Sequence, residues 1–356
     1  MAVAPSPDVL MAFGIRSENE LVPLEGGHIH ATWRLRGRDS PHNDAVVQRV
    51  NDAVFRGPHE LMANLDRLEP KLVATGVPTV RWHRTSNNSL LHRDTQDRLW
   101  RAYRWIDGEV HRAAADLDAV RSISRAFGLF AGALADEPLD HYVEVVPSFH
   151  DFVARERAWR FAVLRDDANR FQHAQPEVER ASRILERVHE LDEYEAWCGL
   201  PQRIVHNDAK AANIVWGSDG VLTVIDLDTT MPGPLLADIG ELVRTLCRSA
   251  SEHDYTAAST LHIERFGLVL RGWLEGYGRE LNAIELEALP IAGIMLTVEN
   301  ALRFLSDYLD GDIYFPVTDP DQNRARFRAQ IGHAQALLDG VNDLRRVVAH
   351  ERARLA

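Results

Sequence analysis

The sequence predicts an α+β protein with a β-rich N-terminal third and a mostly helical remainder. Short alternating or β-branched runs occur in the first hundred residues, and apolar residues recur at helical spacing after Gly108. The chain has 356 residues, more than one typical core supports. We therefore predict two lobes that meet near "WIDGE", with an N-lobe at 1–107 and a C-lobe at 108–356.

The N-terminal third is predicted to consist of strands and turns around one helix. "ELVPLEGGHIHATWRL" carries a Gly pair between extended flanks and indicates a hairpin, and "DAVVQRVN" indicates a strand. "GPHELMANLDRLEPKLVATG" has leucines at helical spacing, and Pro58 suits its first turn. Three further strands are predicted in "VPTVRWHR", "NSLLHRD" and "DRLWRAYRWIDG".

The remainder begins with three segments of helical period, "DLDAVRSISRAFGLFAGALADE", "HDFVARERAWRFAVLRDD" and "PEVERASRILERVHELDEYEAW". Two short β pieces follow, "RIVHND" and "NIVWGSDGVLTVIDLD", and the second contains the hairpin turn signal "GSDG". From about residue 234 the pattern is helical to the end of the chain.

The composition excludes several classes of protein. Hydrophobic residues make up 45% and charged residues 26%, with no long uncharged apolar run, so we expect no membrane span. The net charge is −13 and no basic stripe is present, so a nucleic-acid partner is not expected. Two cysteines and the lack of a secretory signal favour a cytoplasmic protein, which we expect to be a monomer.

A catalytic motif lies in "RIVHNDAKAANIVWG". His206, Asp208 and Asn213 form H-x-D-x-x-x-x-N, and Asp226 follows thirteen residues later at the end of an apolar strand. This order is the phosphoryl-transfer pattern of protein kinases. An Asp orients the attacking hydroxyl and accepts its proton, while an Asn amide oxygen and an Asp carboxylate suit Mg²⁺. The motif therefore predicts a kinase that uses ATP and Mg²⁺, with Asp208 as base and Asn213 and Asp226 as metal ligands.

Lys210 is a second catalytic candidate. Of 40 basic residues only Lys71 and Lys210 are lysines. Lysine is a compact point charge, whereas arginine is a broad planar fork. A compact cation two residues from Asp208 would offset charge on the moving phosphoryl group. His206 is expected to brace the loop, because the chemistry needs one base.

The N-lobe contains candidates for nucleotide binding. Gly26 and Gly27 are predicted to form a loop over the phosphates, and Arg49 is predicted to be the basic residue on a nearby strand. Glu60 is its candidate partner on the next helix, with Glu69 as a rival.

"RAYRWIDG" is predicted to be the hinge where adenine pairs with backbone groups, which makes Tyr103 and Trp105 candidates; their side chains also suit a core. No G-x-x-x-x-G-K-[ST] sequence is present, which argues against a P-loop kinase.

These motifs resemble the aminoglycoside phosphotransferase and choline kinase family, and within it the N-acetylhexosamine 1-kinase group. The likeness covers most of the chain and rests on "HNDAKAANIVW", "LEGGHIHATWRL", "VVQRVNDAVFRGPHELMANL", "IDLDTTMPG" and "ALRFLSDYLDGDIYF".

The resemblance implies a bilobal protein-kinase-like fold with ATP in the cleft between lobes. It also implies phosphoryl transfer to the anomeric hydroxyl of a hexose or N-acetylhexosamine. It supports the roles given above to Asp208, Asn213 and Asp226. Four further positions are implied to face the sugar or assist the metal: His28, Asp228, Arg303 and Tyr314.

Two departures from the family pattern, His30 for Asn and Trp33 for Tyr, leave the identity of the sugar open. His28 and His30 share one strand face, but no third metal ligand is evident nearby.

Two alternatives to a sugar kinase remain. One is a kinase of an aminoglycoside or other small alcohol, for which "DYLDGD" would supply acid. The other is a nucleotide-binding regulator that has lost catalysis.

Overall fold

The computed structural model describes residues 3–16, 20–24, 30–37, 44–52, 57–248 and 260–355. The chain divides into two compact units. Unit 1 consists of Met1–Val110, Pro138–Val146 and Ile214–Met231, and unit 2 consists of His111–Glu137, Pro147–Asn213 and Pro232–Ala356. The predicted fold class is confirmed, since the N-terminal part forms an antiparallel sheet and the C-terminal part is mainly helical.

The main sheet of unit 1 has five antiparallel strands in the order β1-β2-β3-β5-β4. Alternating burial explains its register, because Val47 lies opposite both Trp33 and Ala102, and all three are buried. The strands and the helix that follows β3 are β1 Glu20–Pro23, β2 Ala31–Arg36, β3 Ala45–Arg49, α2 Pro58–Ala74, β4 His92–Arg93 and β5 Leu99–Arg104.

Two details of unit 1 differ from the sequence prediction. "VPTVRWHR" forms only an isolated bridge between Trp82 and Tyr103. Its Pro78 lacks the N–H that a strand needs. A short helix, α1 at Pro7–Ala12, was not predicted. Six residues are too few to show a helical period, and the helix is fixed by packing: its Val9 belongs to the same buried cluster as Trp33.

A second sheet of unit 1 is three-stranded, with β6 Gly108–Val110, β8 Ile214–Gly217 and β9 Leu222–Val224 in the order β6-β8-β9. The β8–β9 hairpin at "GSDG" is confirmed, and Gly220 in its turn has φ +82°. Gly108 has φ +154°, and a Cβ there would overlap the carbonyl oxygen of Trp216. Glycine is therefore required where β6 meets β8.

Unit 2 is built around one central helix, α10, which packs against α4, α5, α7 and α11. Among the described residues, only the segment Ala283–Asp310, which includes α10, is long and apolar enough to cross a membrane. Because 83% of the most apolar stretch of this segment is buried inside the protein, its position in the core explains its apolar composition. The helices are α3 Leu117–Leu134, α4 Phe152–Arg165, α5 Phe171–His189, α6 Tyr194–Cys198, α7 Leu236–Leu246, α8 Ile263–Tyr277, α9 Ala283–Ala288, α10 Ala292–Asp310, α11 Gln322–Asp339 and α12 Val341–Leu355.

The third helix predicted after Gly108, which was expected to start at Pro176, forms two helices, α5 and α6. The first of them, α5, begins at Phe171, five residues before Pro176. The early start has a local cause. The Asp166 carboxylate accepts hydrogen bonds from the amides of Arg170 and Phe171, at 2.7 and 3.0 Å, and so satisfies the first turn.

Candidate active site

The predicted catalytic loop follows β7, at Gln202–Val205, and leads into β8. Within it the structure brings Asp208, Lys210 and Asn213 together. Lys210 Nζ lies 3.0 and 2.8 Å from the two carboxylate oxygens of Asp208. Asn213 Nδ2 donates to Asp208 Oδ2 at 2.9 Å and to the Asp208 carbonyl at 2.8 Å. The loop therefore presents one carboxylate with two local donors.

The charge state of Asp208 follows from these contacts. Burial alone raises the pKa of the Asp208 carboxyl. The Lys210 ammonium, with smaller contributions from His206 and Asn213, outweighs burial and holds this pKa below its usual range. Asp208 is accordingly ionised at neutral pH.

The backbone of the loop is held from α7. The Asp238 carboxylate accepts hydrogen bonds from the amides of His206 and Asn207, at 3.1 and 2.8 Å, and Asp238 is fully buried. Asn207 adopts a left-handed conformation, with φ +64°. The loop conformation therefore depends on a carboxylate thirty residues further along the chain.

His206 has a bracing position. Its ring lies edge-on to Phe127 and Phe130, with centroids 5.2 and 5.6 Å away. Its Nδ1 accepts a hydrogen bond from the Asp208 amide at 3.2 Å, and the residue is fully buried. This arrangement suits the structural role expected for His206.

A buried pair holds the same loop from the other side. His150 Nε2 lies 2.8 Å from the Asn207 carbonyl oxygen, and His150 Nδ1 lies 3.1 Å from Glu299 Oε1. Burial lowers the pKa of His150, but the charge and hydrogen bond of Glu299 outweigh it, so the pKa is raised. Both ring nitrogens can then donate, one to the loop carbonyl and one to the carboxylate.

Asn213 has an oxygen left for a metal. Its amide nitrogen serves Asp208, and within the described ranges no hydrogen bond is accepted by its Oδ1. An amide oxygen of this kind is a suitable hard ligand for Mg²⁺. Asp226 lies in unit 1 just after β9, with φ +59°, and its negative charge helps to raise the pKa of Tyr103, for which burial is the main cause.

Asp228, predicted to assist the metal or the sugar, is engaged by two side chains of unit 1. Arg101 donates to its two carboxylate oxygens at 2.6 and 2.8 Å, and His30 Nε2 lies 2.6 Å from Oδ2. The amide of Asn51 donates to His30 Nδ1 at 3.0 Å, so Nε2 is the ring nitrogen that donates to Asp228. Because both oxygens of Asp228 are engaged inside unit 1, its geometry favours a positioning role over direct contact with substrate or metal.

The predicted nucleotide-binding residues are brought together only in part. Gly26, Gly27 and His28 lie outside the described residues. Arg49 lies at the end of β3, but among the described residues it forms no ion pair with Glu60, which is exposed. The rival Glu69 pairs instead with Arg81 at 3.0 Å.

The predicted hinge residues pack within unit 1. The Tyr103 ring lies edge-on to Trp82 at 5.4 Å, and the Arg34 guanidinium lies 3.8 Å from the centre of the Trp105 ring. The amides of Arg104 and Trp105 donate to the carbonyls of Arg81 and Asp44, at 2.9 and 3.0 Å. Adenine would therefore have to pair with other backbone groups of this segment.

Arg303 and Tyr314 lie together in unit 2. The Arg303 guanidinium is 4.8, 5.7 and 5.8 Å from the ring centres of Phe149, Tyr314 and Phe315. Arg303 does not pair with Asp307, whose carboxylate accepts hydrogen bonds from the amides of Tyr314 and Phe315, at 2.7 and 3.0 Å. Tyr314 is 53% exposed, so it is not a core residue.

Solved structures of similar fold cover nearly the whole chain. An aminoglycoside phosphotransferase from Alicyclobacillus acidocaldarius is 17% identical with a TM-score of 0.61, and 98% of each chain is covered. A microcompartment-associated aminopropanol kinase is 16% identical with a TM-score of 0.60, and 97% of each chain is covered. A choline kinase from Cryptosporidium parvum is 14% identical with a TM-score of 0.54, and 93% of each chain is covered. At these identities the likeness establishes a kinase-like fold alone.

The sequence itself establishes the family. Residues 20–280 match the profile of the phosphotransferase enzyme family, and the chain belongs to that family. It is accordingly a small-molecule phosphotransferase, of a family whose members phosphorylate hydroxyl groups with ATP.

Proposed function

We propose that the protein is an ATP-dependent kinase that phosphorylates the anomeric hydroxyl of a hexose or N-acetylhexosamine to give the sugar 1-phosphate. The observation that carries the kinase part is the contact of Asp208 with Lys210 and Asn213 inside one loop. The sugar part rests on the resemblance of "ALRFLSDYLDGDIYF" and of the loop near His28 to the N-acetylhexosamine 1-kinases.

Asp208 is proposed to orient the sugar hydroxyl and accept its proton. Its depressed pKa makes it a weak base, which suits a loose transition state in which the proton leaves late. Positioning of the hydroxyl then contributes more than basicity. The held backbone at His206 and Asn207 supports this role, because it fixes the direction of the Asp208 side chain.

Lys210 is proposed to stabilise negative charge on the transferring phosphoryl group. Its ammonium lies 2.8 Å from the Asp208 carboxylate. A flexible stem allows the ammonium to reorient toward phosphate oxygens while it stays near the carboxylate.

Asn213, through Oδ1, and Asp226 are proposed to hold Mg²⁺. A bound Mg²⁺ would bridge phosphate oxygens and neutralise their charge. The register of the hairpin supports this assignment, because Ile214, next to Asn213, pairs with Val224, two residues before Asp226. Related folds bind similar ligands: one structure is spectinomycin phosphotransferase with ADP, and another is an amicoumacin kinase with AMP-PNP and Ca²⁺.

A kinase of aminoglycosides or another small alcohol is equally consistent with family membership. One observation speaks against a polycationic substrate bound by "DYLDGD". Its acids are used internally, since Asp307 holds two loop amides, Asp310 pairs with Arg165, and Asp312 pairs with Arg170.

The test is ADP release from ATP and Mg²⁺ with hexoses, hexosamines, N-acetylhexosamines, aminoglycosides and choline. Sugar-dependent release with an acid-labile, alkali-stable phosphate product supports the proposal. Release only with kanamycin-like compounds would favour the aminoglycoside alternative. ATP binding without turnover on any acceptor would leave a regulator that has lost catalysis.

The role of Asp208 is tested by Asp208→Asn, with the exposed Asp118→Asn as the matched control. We expect Asp208→Asn to lower kcat by about 10²- to 10⁴-fold, because the base is lost, while ATP affinity changes little. Steady-state kinetics and nucleotide titration measure the two effects. Unchanged turnover in Asp208→Asn would refute the role given to this residue.

A further inference from the structure

Two arginines of unit 2, Arg155 and Arg303, lie on helices that pack against each other, α4 and α10. Neither forms an ion pair within the described residues, and Nε of Arg155 is buried without a hydrogen-bond partner. Burial and the positive charge of Arg303 both lower the pKa of Arg155. Two adjacent, partly buried cations of this kind are costly unless a ligand brings negative charge.

We propose that Arg155 and Arg303 form a subsite for an anionic group, carboxylate or phosphate, on the phosphoryl acceptor. The inference rests on the proposed transfer to an anomeric hydroxyl, and it changes the expected acceptor from a neutral hexose to a sugar with an acidic group, such as a hexuronic acid or a hexose phosphate. Arginine suits this task because its planar fork donates two parallel hydrogen bonds to a carboxylate or phosphate.

The position of the pair relative to the catalytic loop supports the inference. Helices α4 and α10 run in parallel, because His150, two residues before α4, contacts Glu299 in the middle of α10, and Arg165 at the end of α4 contacts Asp310 at the end of α10. Arg303 lies one helical turn, about 6 Å, beyond Glu299 along α10. His150 in turn contacts the carbonyl of Asn207, the residue before Asp208.

The neighbouring acids are already engaged. Glu299 pairs with His150, Asp151 caps α4 by accepting from the Ala154 amide at 2.9 Å, and Asp307 holds the loop amides of Tyr314 and Phe315. Glu299 and Asp151 offset part of the charge on Arg155 at longer range, but neither forms an ion pair with it. The pair therefore retains net positive charge.

The surroundings of Arg303 would strengthen an ionic contact. Three aromatic rings, of Phe149, Tyr314 and Phe315, surround its guanidinium. They displace water from it, and a charge-assisted hydrogen bond is stronger where water is excluded. The same charge repels aminoglycosides and amino alcohols, so the pair also selects against cations.

The experiment compares acceptors that share one sugar ring and differ in one substituent and its charge: galactose, galacturonate, galactosamine and galactose 6-phosphate, with the glucose series in parallel. Each is assayed for ADP release and, separately, for binding by calorimetry. The variants are Arg155→Gln, Arg303→Gln and the control Arg157→Gln, an exposed arginine on the same helix. Thermal melting checks that each variant is folded.

We expect one of the anionic acceptors to exceed its neutral counterpart in kcat/KM by about ten- to a hundredfold. Arg155→Gln and Arg303→Gln should remove this preference, and Arg157→Gln should keep it. Comparison of galacturonate with galactose 6-phosphate identifies whether a carboxylate or a phosphate is recognised. A wild-type preference for neutral or cationic acceptors would overturn the inference even though the protein is a sugar kinase.

The calorimetric binding measurements separate the proposed anion subsite from the proposed kinase function. If no sugar supports turnover, the proposed function fails, but binding of galacturonate or galactose 6-phosphate that is lost in both arginine variants would still support the subsite. If neither anion binds more tightly than galactose, or if the variants bind it equally well, the subsite is refuted.

Discussion

At the scale of single residues, the pairing of Lys210 with Asp208 explains why this arginine-rich chain keeps a lysine in the loop. Its Nζ contacts both carboxylate oxygens from two residues away. An arginine at this position would place a wide planar group between Asp208 and the acceptor hydroxyl. The compact ammonium leaves room for the hydroxyl and still carries the charge.

Lys210→Met should shift the pH dependence of the reaction. Because Lys210 is the main group that lowers the pKa of Asp208, its loss raises that pKa. Asp208 must be ionised to accept a proton, so the acidic limb of the kcat/KM profile should move to higher pH, with a lower plateau. The control is Lys71→Met, which replaces the other lysine of the chain, on the exposed side of α2.

Rate measurements between pH 5 and 9 test this prediction. An acidic limb at the same pH in Lys210→Met and wild type would mean that Lys210 does not control the ionisation of Asp208. A shift in Lys71→Met as well would indicate a general effect of net charge.

The residues of the loop were predictable because their contacts are local. Asp208, Lys210 and Asn213 lie within six positions, and their types and spacing indicate the chemistry. Their supports were missed. Asp238 is 31 residues from Asn207, and His150 is 149 residues from Glu299. Such pairings arise only when distant elements pack, and the sequence gives no period or spacing that reveals them.

At the scale of elements, the β7–β8 loop is held through His150, just before α4, and Glu299 of α10. The raised pKa of His150 means that the folded protein keeps the imidazolium to higher pH than the unfolded chain does. The stabilisation is therefore complete below the unfolded pKa, near 6.5, and is lost as pH rises through the higher folded pKa.

Glu299→Gln should lower stability by about 3 kcal/mol or more at pH 6, because it leaves the buried imidazolium of His150 without its countercharge. The difference from wild type should shrink as the pH is raised through the folded pKa. Urea denaturation at a series of pH values from 6 to 9 measures it, with the exposed Glu287→Gln as control. A difference that does not depend on pH would show that the pair is not charged.

Close packing of α3 against α8 is a second property of elements. A Cβ on Gly128 would overlap the carbonyl oxygen of Trp273, and one on Gly276 would overlap that of Arg125. The two backbones therefore approach at a distance that only glycine permits. The helical period predicted both helices, and the G-x-x-x-G spacing on each was readable, but nothing in the sequence specified that they pair.

Gly276→Ala should destabilise the protein by about 1–3 kcal/mol or more, because the added methyl forces the helices apart. Gly267→Ala on the same helix is the matched control, since its Cβ would meet only Val347 at 3.6 Å. The control should stabilise the protein by about 0.5–1 kcal/mol through helix propensity. Thermal melting of both variants gives the comparison, and equal effects would contradict the tight interface.

At the scale of the whole molecule, the fold class was predictable because composition and period change along the chain after Gly108. Each pattern extends over many residues: β-branched and alternating runs in the first third, and helical spacing in the remainder. A wrong assignment at one residue therefore does not alter the predicted fold class. The grouping of the chain into units was less accessible. Unit 1 includes Ile214–Met231, which joins β6 by a pairing between distant segments.

The chain carries a net charge of −13 at pH 7, and its stability should depend on acid in two stages. Mild acidification reduces the net negative charge and its self-repulsion. Further acidification acts on carboxyls whose pKa the folded state holds below the usual range. The charge of Arg101, together with hydrogen bonds from His30 and Arg101, outweighs the effect of burial at Asp228, and Lys210 does the same at Asp208.

The stability contributed by these groups is present above the unfolded pKa of about 3.9 and is lost as pH falls through the lower folded pKa. The urea midpoint should therefore fall steeply below about pH 4.

Asp228→Asn leaves buried Arg101 without its countercharge and should lower the free energy of unfolding by about 3–5 kcal/mol at pH 7. The difference in free energy of unfolding between Asp228→Asn and wild type should become smaller below pH 4. The control Asp118→Asn should show the same pH dependence as wild type. Parallel wild-type and Asp228→Asn curves from pH 7 to 2.5 would show that Asp228 is not held ionised by Arg101 and His30, and its positioning role would have to be abandoned.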